Sequence, residues 1–266
     1  MTGRLLAVDA GNSQIEVGLT SDSEPGWLAR WRLETKANRT VDEYGVTIAR
    51  LLEGAGVELS DIGGVVLSSV VPSLTPVLEG VSRRLFGVEP LVVTPAAALG
   101  IDVLYDPPSA AGSDRIVDAI AARDRFGAPV VVVDFGTATT FNVVDRNGRF
   151  VGGAIAPGLG VAASALARSG AKLSRIDLEP ASGMPVVGRD TTQSMRSGVL
   201  YGYAGLVEGI LARIDEELDD GSGSRPVVVA TGGLSQVVAP LVGRFDAVVP
   251  GLTLDGLRLV FEARAT

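Results

Sequence analysis

The chain has 266 residues, of which 46% are hydrophobic and 20% charged, a composition typical of one large or two modest globular domains. Its 23 basic and 31 acidic residues give a net charge of −8, which disfavours binding to nucleic acids or to anionic membranes. Histidine and cysteine are both absent, which excludes disulfides, thiol nucleophiles, histidine-based triads and metal sites with histidine or thiolate ligands. Acid–base chemistry must therefore use Asp, Glu, Lys or Tyr, and any metal must be a hard cation held by oxygen.

Two segments with the same pattern stand almost half a chain apart. Leu5–Asn12 and Val130–Thr137 are both apolar runs that end in Asp-x-Gly and a small polar residue. A second β-prone run follows each of them, at Ile15–Thr20 and Thr139–Val144. Strand, Asp-x-Gly, strand and turn in the same phase predict a duplicated domain.

Strands and helices alternate along the rest of the chain. In the first half we predict strands at Trp27–Glu34, Gly64–Val71 and Pro90–Val93 and helices at Val41–Gly54, Ser73–Phe86 and Ser113–Phe126. Thr40 and Glu43 have the spacing of a capping box at the start of the first helix. In the second half we predict strands at Arg149–Ile155 and Val227–Ala230 and helices at Gly158–Ser169, Asp190–Leu218, Leu234–Val242 and Leu254–Ala263.

This alternation predicts an α/β protein with two domains, residues 1–115 and 116–266, the closing helix packing back on the first. The two longest uncharged stretches, 150–167 and 226–243, contain glycine and proline at a density that breaks a membrane-spanning helix. We therefore expect a soluble, cytoplasmic protein.

Four glycines lie along one side of the long predicted helix, at Gly198, Gly202, Gly205 and Gly209. Each costs about 0.5–1 kcal/mol relative to alanine, so another interaction must offset their cost. Close approach by a neighbouring element of the same chain and a subunit interface both fit this pattern.

An Asp at the end of a strand followed by a glycine turn can form a phosphate and cation site. Glycine lets backbone N–H groups approach phosphate oxygens, and the carboxylate can hold a cation that bridges them. A single motif of this kind is more often an ordinary turn, but two of them favour nucleotide binding. Side chains that would add hydrogen-bond donors are Asn12, Ser13, Thr137, Thr139 and Thr140. Thr231–Gly233 is a third glycine turn, which either packs against a nucleoside or is an ordinary strand-to-helix turn.

Gly112–Arg115 stands where the first half of the chain gives way to the second. Ser113 or Asp114 could simply cap the following helix. Alternatively, Asp114 is a general base and Arg115 clamps an anion, a pair that suits phosphoryl transfer.

Taken together, these motifs resemble the type III pantothenate kinases, of the acetate and sugar kinase, heat-shock ATPase and actin superfamily. The matching segments occur in family order and cover nearly the whole chain: Asp9–Ser13, Tyr105 and Pro107 upstream of Gly112–Arg115, Asp134–Thr140, Gly152–Gly158, Ala171–Leu173, Gly188–Thr191 and Thr231–Gly233. The resemblance implies two duplicated ribonuclease H-like, actin-like ATPase domains with a cleft between them.

The same resemblance implies ATP-dependent phosphorylation of pantothenate to 4'-phosphopantothenate, the first step of coenzyme A biosynthesis. It implies a homodimer, ATP with Mg²⁺, and a monovalent cation, K⁺ or NH₄⁺, bound by Asp134. The implied ATP-binding residues are Asp9, Ala10, Gly11, Asn12, Ser13, Gln14, Ile15, Glu16 and Thr137. Asp114 would accept the proton, and the implied pantothenate-binding residues are Tyr105, Gly112, Ser113, Asp114, Arg115 and Thr191.

The chain departs from the family pattern at three places. Ser13 replaces a usual Thr, and Gly170 replaces the Thr before Ala-Lys-Leu. The usual Glu-Val-Gly-Ala-Asp-Arg is here Ala110–Arg115, which lacks the Glu. Two other functions remain open at this stage: a non-catalytic homologue that regulates transcription or binds a partner, and a sugar kinase or polyphosphatase. The absence of a basic stripe argues against the regulator, and the Gly112–Arg115 signature argues against the other enzymes.

Overall fold

The computed structural model describes residues 3–21, 26–94, 100–169, 176–179, 183–219, 221 and 223–265. These residues form a mixed α/β structure with two five-stranded sheets. The chain divides into two compact units, the first made of residues 1–100, 106–121 and 253–266 and the second of residues 101–105 and 122–252. The domain boundary between residues 115 and 116 stays a prediction.

The sheet of the first unit has the strand order β3-β2-β1-β4-β5. Its strands are β1 (Arg4–Ala10), β2 (Gln14–Thr20), β3 (Trp27–Glu34), β4 (Ile62–Ser69) and β5 (Leu91–Val92). Strands β1, β2 and β3 are antiparallel neighbours, whereas β4 and β5 run parallel to β1. Its helices are α1 (Val41–Gly54), α2 (Thr75–Val81), the first part of α3 (Ser113–Phe126) and the closing helix α7 (Leu252–Ala265).

The sheet of the second unit has the order β10-β9-β6-β7-β8, so from β8 it repeats the arrangement of the first. Its strands are β6 (Val130–Phe135), β7 (Ala138–Val144), β8 (Phe150–Pro157), β9 (Val227–Thr231) and β10 (Ala247–Val248). Its helices are α4 (Leu159–Ser169), α5 (Thr191–Leu218) and α6 (Ser235–Val238). No helix in the described part of the chain is both long enough and apolar enough to span a membrane.

Several sequence predictions are confirmed to the residue. Strand β3 and helices α1 and α3 have the predicted bounds. The capping box is present, because the Thr40 hydroxyl accepts from the Glu43 N–H at 3.3 Å and the Glu43 carboxylate accepts from the Thr40 N–H at 2.8 Å. Predictions elsewhere are displaced: β4 lies at Ile62–Ser69, in parallel register with β1, rather than at Gly64–Val71. Strand β10 has only two residues and was not predicted.

Helices cover both faces of the first sheet. One face carries Leu6, Val8 and Leu67, which share a buried core with Tyr44 and Ile48 of α1. Successive side chains of a strand point to opposite faces, so Gly18 and Gly64 belong to the other face, where α7 packs. A β-carbon at Gly18 would lie 2.5 Å from the ring of Trp27 in β3 and 3.1 Å from Leu254 of α7, and one at Gly64 would overlap the ring of Phe261 in α7. These glycines let α7 lie close to the sheet.

In the second unit α5 supplies much of the apolar cover. Val131, Val133 and Phe135 of β6 share one buried core with Leu200, Tyr203, Val207 and Leu211 of α5. Helix α5 therefore packs against β6 through the face that carries Leu200, Tyr203, Val207 and Leu211.

The glycines of α5 lie on its other side. Gly198, Gly202 and Gly205 are exposed. Apart from the adjoining residues and the nearby backbone of the same helix, no atom of the described residues lies within 4 Å of a β-carbon placed at any of them. A β-carbon at Gly209 would meet the guanidinium of Arg213 at 3.6 Å. Close approach by another described element of the same chain is therefore the wrong interpretation of this glycine face, defined by these four glycines.

Two buried helix glycines differ in the space around them, which gives a test of the packing. A β-carbon at Gly256 of α7 would overlap the carbonyl oxygen of Val117 in α3, whereas one at Gly45 of α1 would meet nothing within 4 Å. We expect Gly256→Ala to lower the free energy of unfolding by about 1–3 kcal/mol, the usual cost of overpacking. Gly45→Ala should raise it by about 0.5–1 kcal/mol through helix propensity. Urea titrations measure both, and equal shifts of the same sign would contradict this packing of α7 on α3.

Candidate active site

The first Asp-x-Gly motif forms a tight hairpin between β1 and β2. The Gly11 N–H donates to the Gln14 carbonyl at 3.0 Å and closes the turn. Thr35, which follows β3, ties the turn down, because its N–H donates to the Ser13 carbonyl at 3.0 Å and its hydroxyl donates to the Gly11 carbonyl at 2.6 Å. Thr35 was not among the predicted site residues, although a hydroxyl residue directly after a predicted strand was a signal for it.

The side chains of Asp9–Glu16 do not all face solvent. Ala10 and Ile15 are in the core, so their side chains are turned away from any ligand of the turn. Residues 12–14 are exposed, and the Glu16 carboxylate pairs with Arg32 at 2.9 Å. A bound phosphate would therefore meet the exposed part of the turn, with its small and polar residues, before any of the other side chains.

Asp114 lies in the first turn of α3, where its carboxylate accepts from the Arg115 N–H at 2.8 Å. Gly112 makes room for it, because a β-carbon there would overlap the Asp114 carboxylate. Burial raises the pKa of Asp114, and the Arg115 N–H and the guanidinium charge of Arg115 oppose that shift. A carboxyl group with a raised pKa at a helix start is a better proton acceptor than an ordinary Asp.

Ser113 is directed into the protein. Its hydroxyl is hydrogen-bonded to the hydroxyl of Ser68 at 2.9 Å, and both residues are buried. Ser68 pairs with Asp9 in the parallel register of β4 and β1, so the two side chains leave the same face of the sheet. The structure thus brings the Asp9 hairpin and the Gly112–Arg115 turn together within the first unit. Ser68 was missed, although two serines at the end of an apolar strand could have indicated a polar site.

The second Asp-x-Gly motif forms the corresponding hairpin between β6 and β7. The Gly136 N–H donates to the Ala138 carbonyl at 3.1 Å, and Thr137 is exposed at the tip. The N–H of Gly158 donates to the Thr137 carbonyl at 3.1 Å, and a β-carbon at Gly158 would overlap that oxygen. The turn is held from behind by the backbone that leads into α4.

Thr139 and Thr140, which the sequence suggested as further donors, differ in position. Thr139 is fully buried, and its hydroxyl is hydrogen-bonded to the hydroxyl of Tyr203 in α5. Tyr203 also donates to the Pro157 carbonyl at 3.1 Å, and burial raises its pKa. Thr140 is half-buried and accepts from the Asn142 side chain at 3.2 Å. Thr139 therefore fastens α5 to the hairpin.

Asp134 lies at the end of β6, opposite Thr140 of β7 and Thr231 of β9. Gly232 follows at a positive φ of +88°, and a β-carbon there would overlap the Asp134 carboxylate and lie 2.6 Å from the Phe135 nitrogen. The third glycine turn, Thr231–Gly233, thus packs on Asp134. The sequence of the turn alone does not indicate this contact. Among the residues described, no group of three or more acidic side chains is placed to hold a metal ion.

Two of the predicted pantothenate-binding residues belong to the second unit, at separate elements. Tyr105 is half-buried against Gly152, whose β-carbon would lie 3.3 Å from the Tyr105 ring, and near the ring of Phe150. Thr191 is the exposed first residue of α5, after the cap formed by Asp190, which accepts from the Gln193 N–H at 2.8 Å. The predicted Ala171–Leu173 motif lies outside the described residues.

Comparisons with known proteins agree on the family. The family model described as "Type III pantothenate kinase" matches residues 5–213. The type III pantothenate kinase of Thermomicrobium roseum is 45% identical over 97% of this chain and 96% of its own, and that of Moorella thermoacetica is 42% identical over 97% and 98%.

Similar solved structures show the fold. The activator of the 2-hydroxyisocaproyl-CoA dehydratase from Clostridium difficile, solved with bound ADPNP, has a TM-score of 0.57 at 13% identity and covers 98% of this chain and 96% of its own. The match along most of the sequence, together with this fold, shows that the chain belongs to the type III pantothenate kinase family.

Proposed function

We propose that this protein transfers the γ-phosphoryl group of ATP to the primary hydroxyl of pantothenate, giving 4'-phosphopantothenate and ADP in the first step of coenzyme A biosynthesis. Membership of the family carries this proposal, together with the half-buried carboxylate of Asp114 at the start of α3. The match of the family model to most of the chain favours pantothenate over the sugar and polyphosphate substrates considered above.

Asp114 is the proposed general base. The hydroxyl oxygen of pantothenate forms a bond to the γ-phosphorus as its proton passes to the Asp114 carboxylate. The bond between the γ-phosphorus and the bridging oxygen breaks, and ADP leaves. The raised pKa of Asp114 supports this role, because proton transfer is most efficient when the pKa of the base approaches the working pH.

The neighbours of Asp114 are proposed to hold pantothenate. The guanidinium of Arg115 suits a carboxylate such as that of pantothenate, and Arg115 is only 5% exposed, so little water would screen that pair. Tyr105, Gly112, Ser113 and Thr191 complete the proposed set. In this structure the Ser113 hydroxyl is used internally, so we assign the contact of Ser113 to its backbone.

The two Asp-x-Gly hairpins are proposed to contact the phosphates of ATP, with Mg²⁺ bound through those phosphates. The exposure of Asn12 and Ser13 in the first hairpin and of Gly136 and Thr137 in the second supports this assignment. The matching strand orders around the hairpins support the proposal that the fold is a duplicated, actin-like pair of domains.

Asp134 is the proposed ligand of a monovalent cation, K⁺ or NH₄⁺. A carboxylate oxygen suits a hard cation, and a singly charged ion needs fewer acidic ligands than a multiply charged one. Gly232 restricts the space beside the carboxylate and so fixes its position. When bound, the ion would neutralise part of the phosphate charge.

A homodimer in which α5 meets its copy through the glycine face is the proposed assembly. Exposed glycines in a helix are costly, and a β-carbon at Gly198, Gly202 or Gly205 would meet no neighbour within 4 Å among the residues described. Close approach of two helix backbones would offset that cost.

The function is tested by measuring ADP release with pantothenate, MgATP and K⁺. We expect turnover that depends on pantothenate, and Asp114→Asn should lower kcat by roughly 10²–10⁴, the usual contribution of a general base. The matched control is Asp124→Asn, an exposed Asp of the same helix, which should retain wild-type activity. Absence of pantothenate-dependent turnover in the wild type would refute the proposed function, and an active Asp114→Asn variant would refute the proposed base.

The dimer is tested by placing a bulky charge on the glycine face. Gly202→Arg should convert a dimer into a monomer in light scattering, because the side chain keeps the two backbones apart. The control is Gly54→Arg, a similarly exposed helix glycine with open space around it, which should leave the mass unchanged. A Gly202→Arg protein that stays dimeric would place the interface elsewhere.

A further inference from the structure

The hydrogen bond between Ser68 and Ser113 is a buried polar contact at the proposed site. The two hydroxyl oxygens are 2.9 Å apart, and the residues are 0% and 5% exposed. A buried hydroxyl pair of this kind is directional, and losing one partner leaves the other unsatisfied in a place that water does not reach. The contact therefore fixes the distance between β4 and the first turn of α3.

Both ends of this contact adjoin residues of the proposed reaction. Ser68 is the register partner of Asp9, and Ser113 directly precedes Asp114. The Asp9 hairpin is therefore linked to the proposed base through the pairing of β1 with β4 and through the hydrogen bond between Ser68 and Ser113.

The second turn of α3 is held independently. The Thr253 hydroxyl of α7 donates to the buried carboxylate of Asp118 at 2.7 Å, and Gly256 of α7 packs on the backbone of Val117. Removing the serine contact would therefore leave α3 attached to the unit and free only its first turn.

We propose that Ser68, through Ser113, is a positioning residue for phosphoryl transfer, setting the place of the Asp114 carboxylate relative to the Asp9 hairpin. This inference rests on the proposed function. Misplacement of a reacting group by about 1 Å can cost up to about 10²-fold in rate, so a loosened first turn should act on kcat.

The test compares Ser68→Ala and Ser113→Ala with Ser82→Ala. Ser82 is the matched control, because it is 1% exposed in the same unit and its hydroxyl donates to the Val88 carbonyl at 2.7 Å, away from the site residues. We expect Ser68→Ala and Ser113→Ala each to lower kcat by roughly 3- to 30-fold, with KM for ATP unchanged. Ser82→Ala should retain wild-type kcat, and all three urea midpoints should shift alike.

The double variant Ser68→Ala with Ser113→Ala should lose no more rate than either single variant, since both remove the same contact. A Ser68→Ala variant with wild-type kcat would overturn the inference. So would a Ser82→Ala variant that loses as much kcat as Ser68→Ala does. Additive losses in the double variant would also overturn it. Wild-type protein without turnover would instead refute the proposed function, so the two failures are distinguishable.

Discussion

The partly desolvated carboxylate of Asp114 is the constraint around which the first unit is arranged. A carboxylate is stabilised by water, so removing part of that water by burial costs free energy, which appears as a raised pKa of Asp114. The Arg115 N–H and charge recover part of that cost, and Gly112 leaves the space that the carboxylate occupies. A group kept in this environment is ready to accept a proton, which is what the proposed reaction requires.

Support for that position comes from the packing beneath it. Glycines on one face of the first sheet let α7 approach, and Gly256 of α7 lets α3 approach in turn. The Asp9 hairpin is fixed by Thr35 from one side and is adjacent to Ser68 on the other. The second unit uses the same strand order to present Asp134 and Thr137, with Gly158 and Gly232 packed against them. Small residues thus position charged and polar ones in both units.

Much of this was readable from the sequence, and the failures have physical causes. The apolar runs, the capping box at Thr40 and the Asp-x-Gly turns are local patterns, so the strands, α1 and the hairpins could be predicted. The hydroxyl residues Ser68 and Thr35 stand at strand ends, but their contacts could not be predicted, because those depend on strand register and on neighbours distant in sequence. The packing of Gly232 on Asp134 could not be predicted either, since a sequence shows a glycine but not the carboxylate that lies beside it.

The unfolding free energies of the wild type and Asp114→Asn, compared from acid to neutral pH, measure the constraint directly. A carboxyl group whose pKa is raised by folding destabilises the protein above that folded pKa and has no effect below its unfolded value of about 3.9. We therefore predict that Asp114→Asn is more stable than the wild type at neutral pH and that the difference disappears as the pH falls. A variant that is less stable at neutral pH, or a difference independent of pH, would contradict the account.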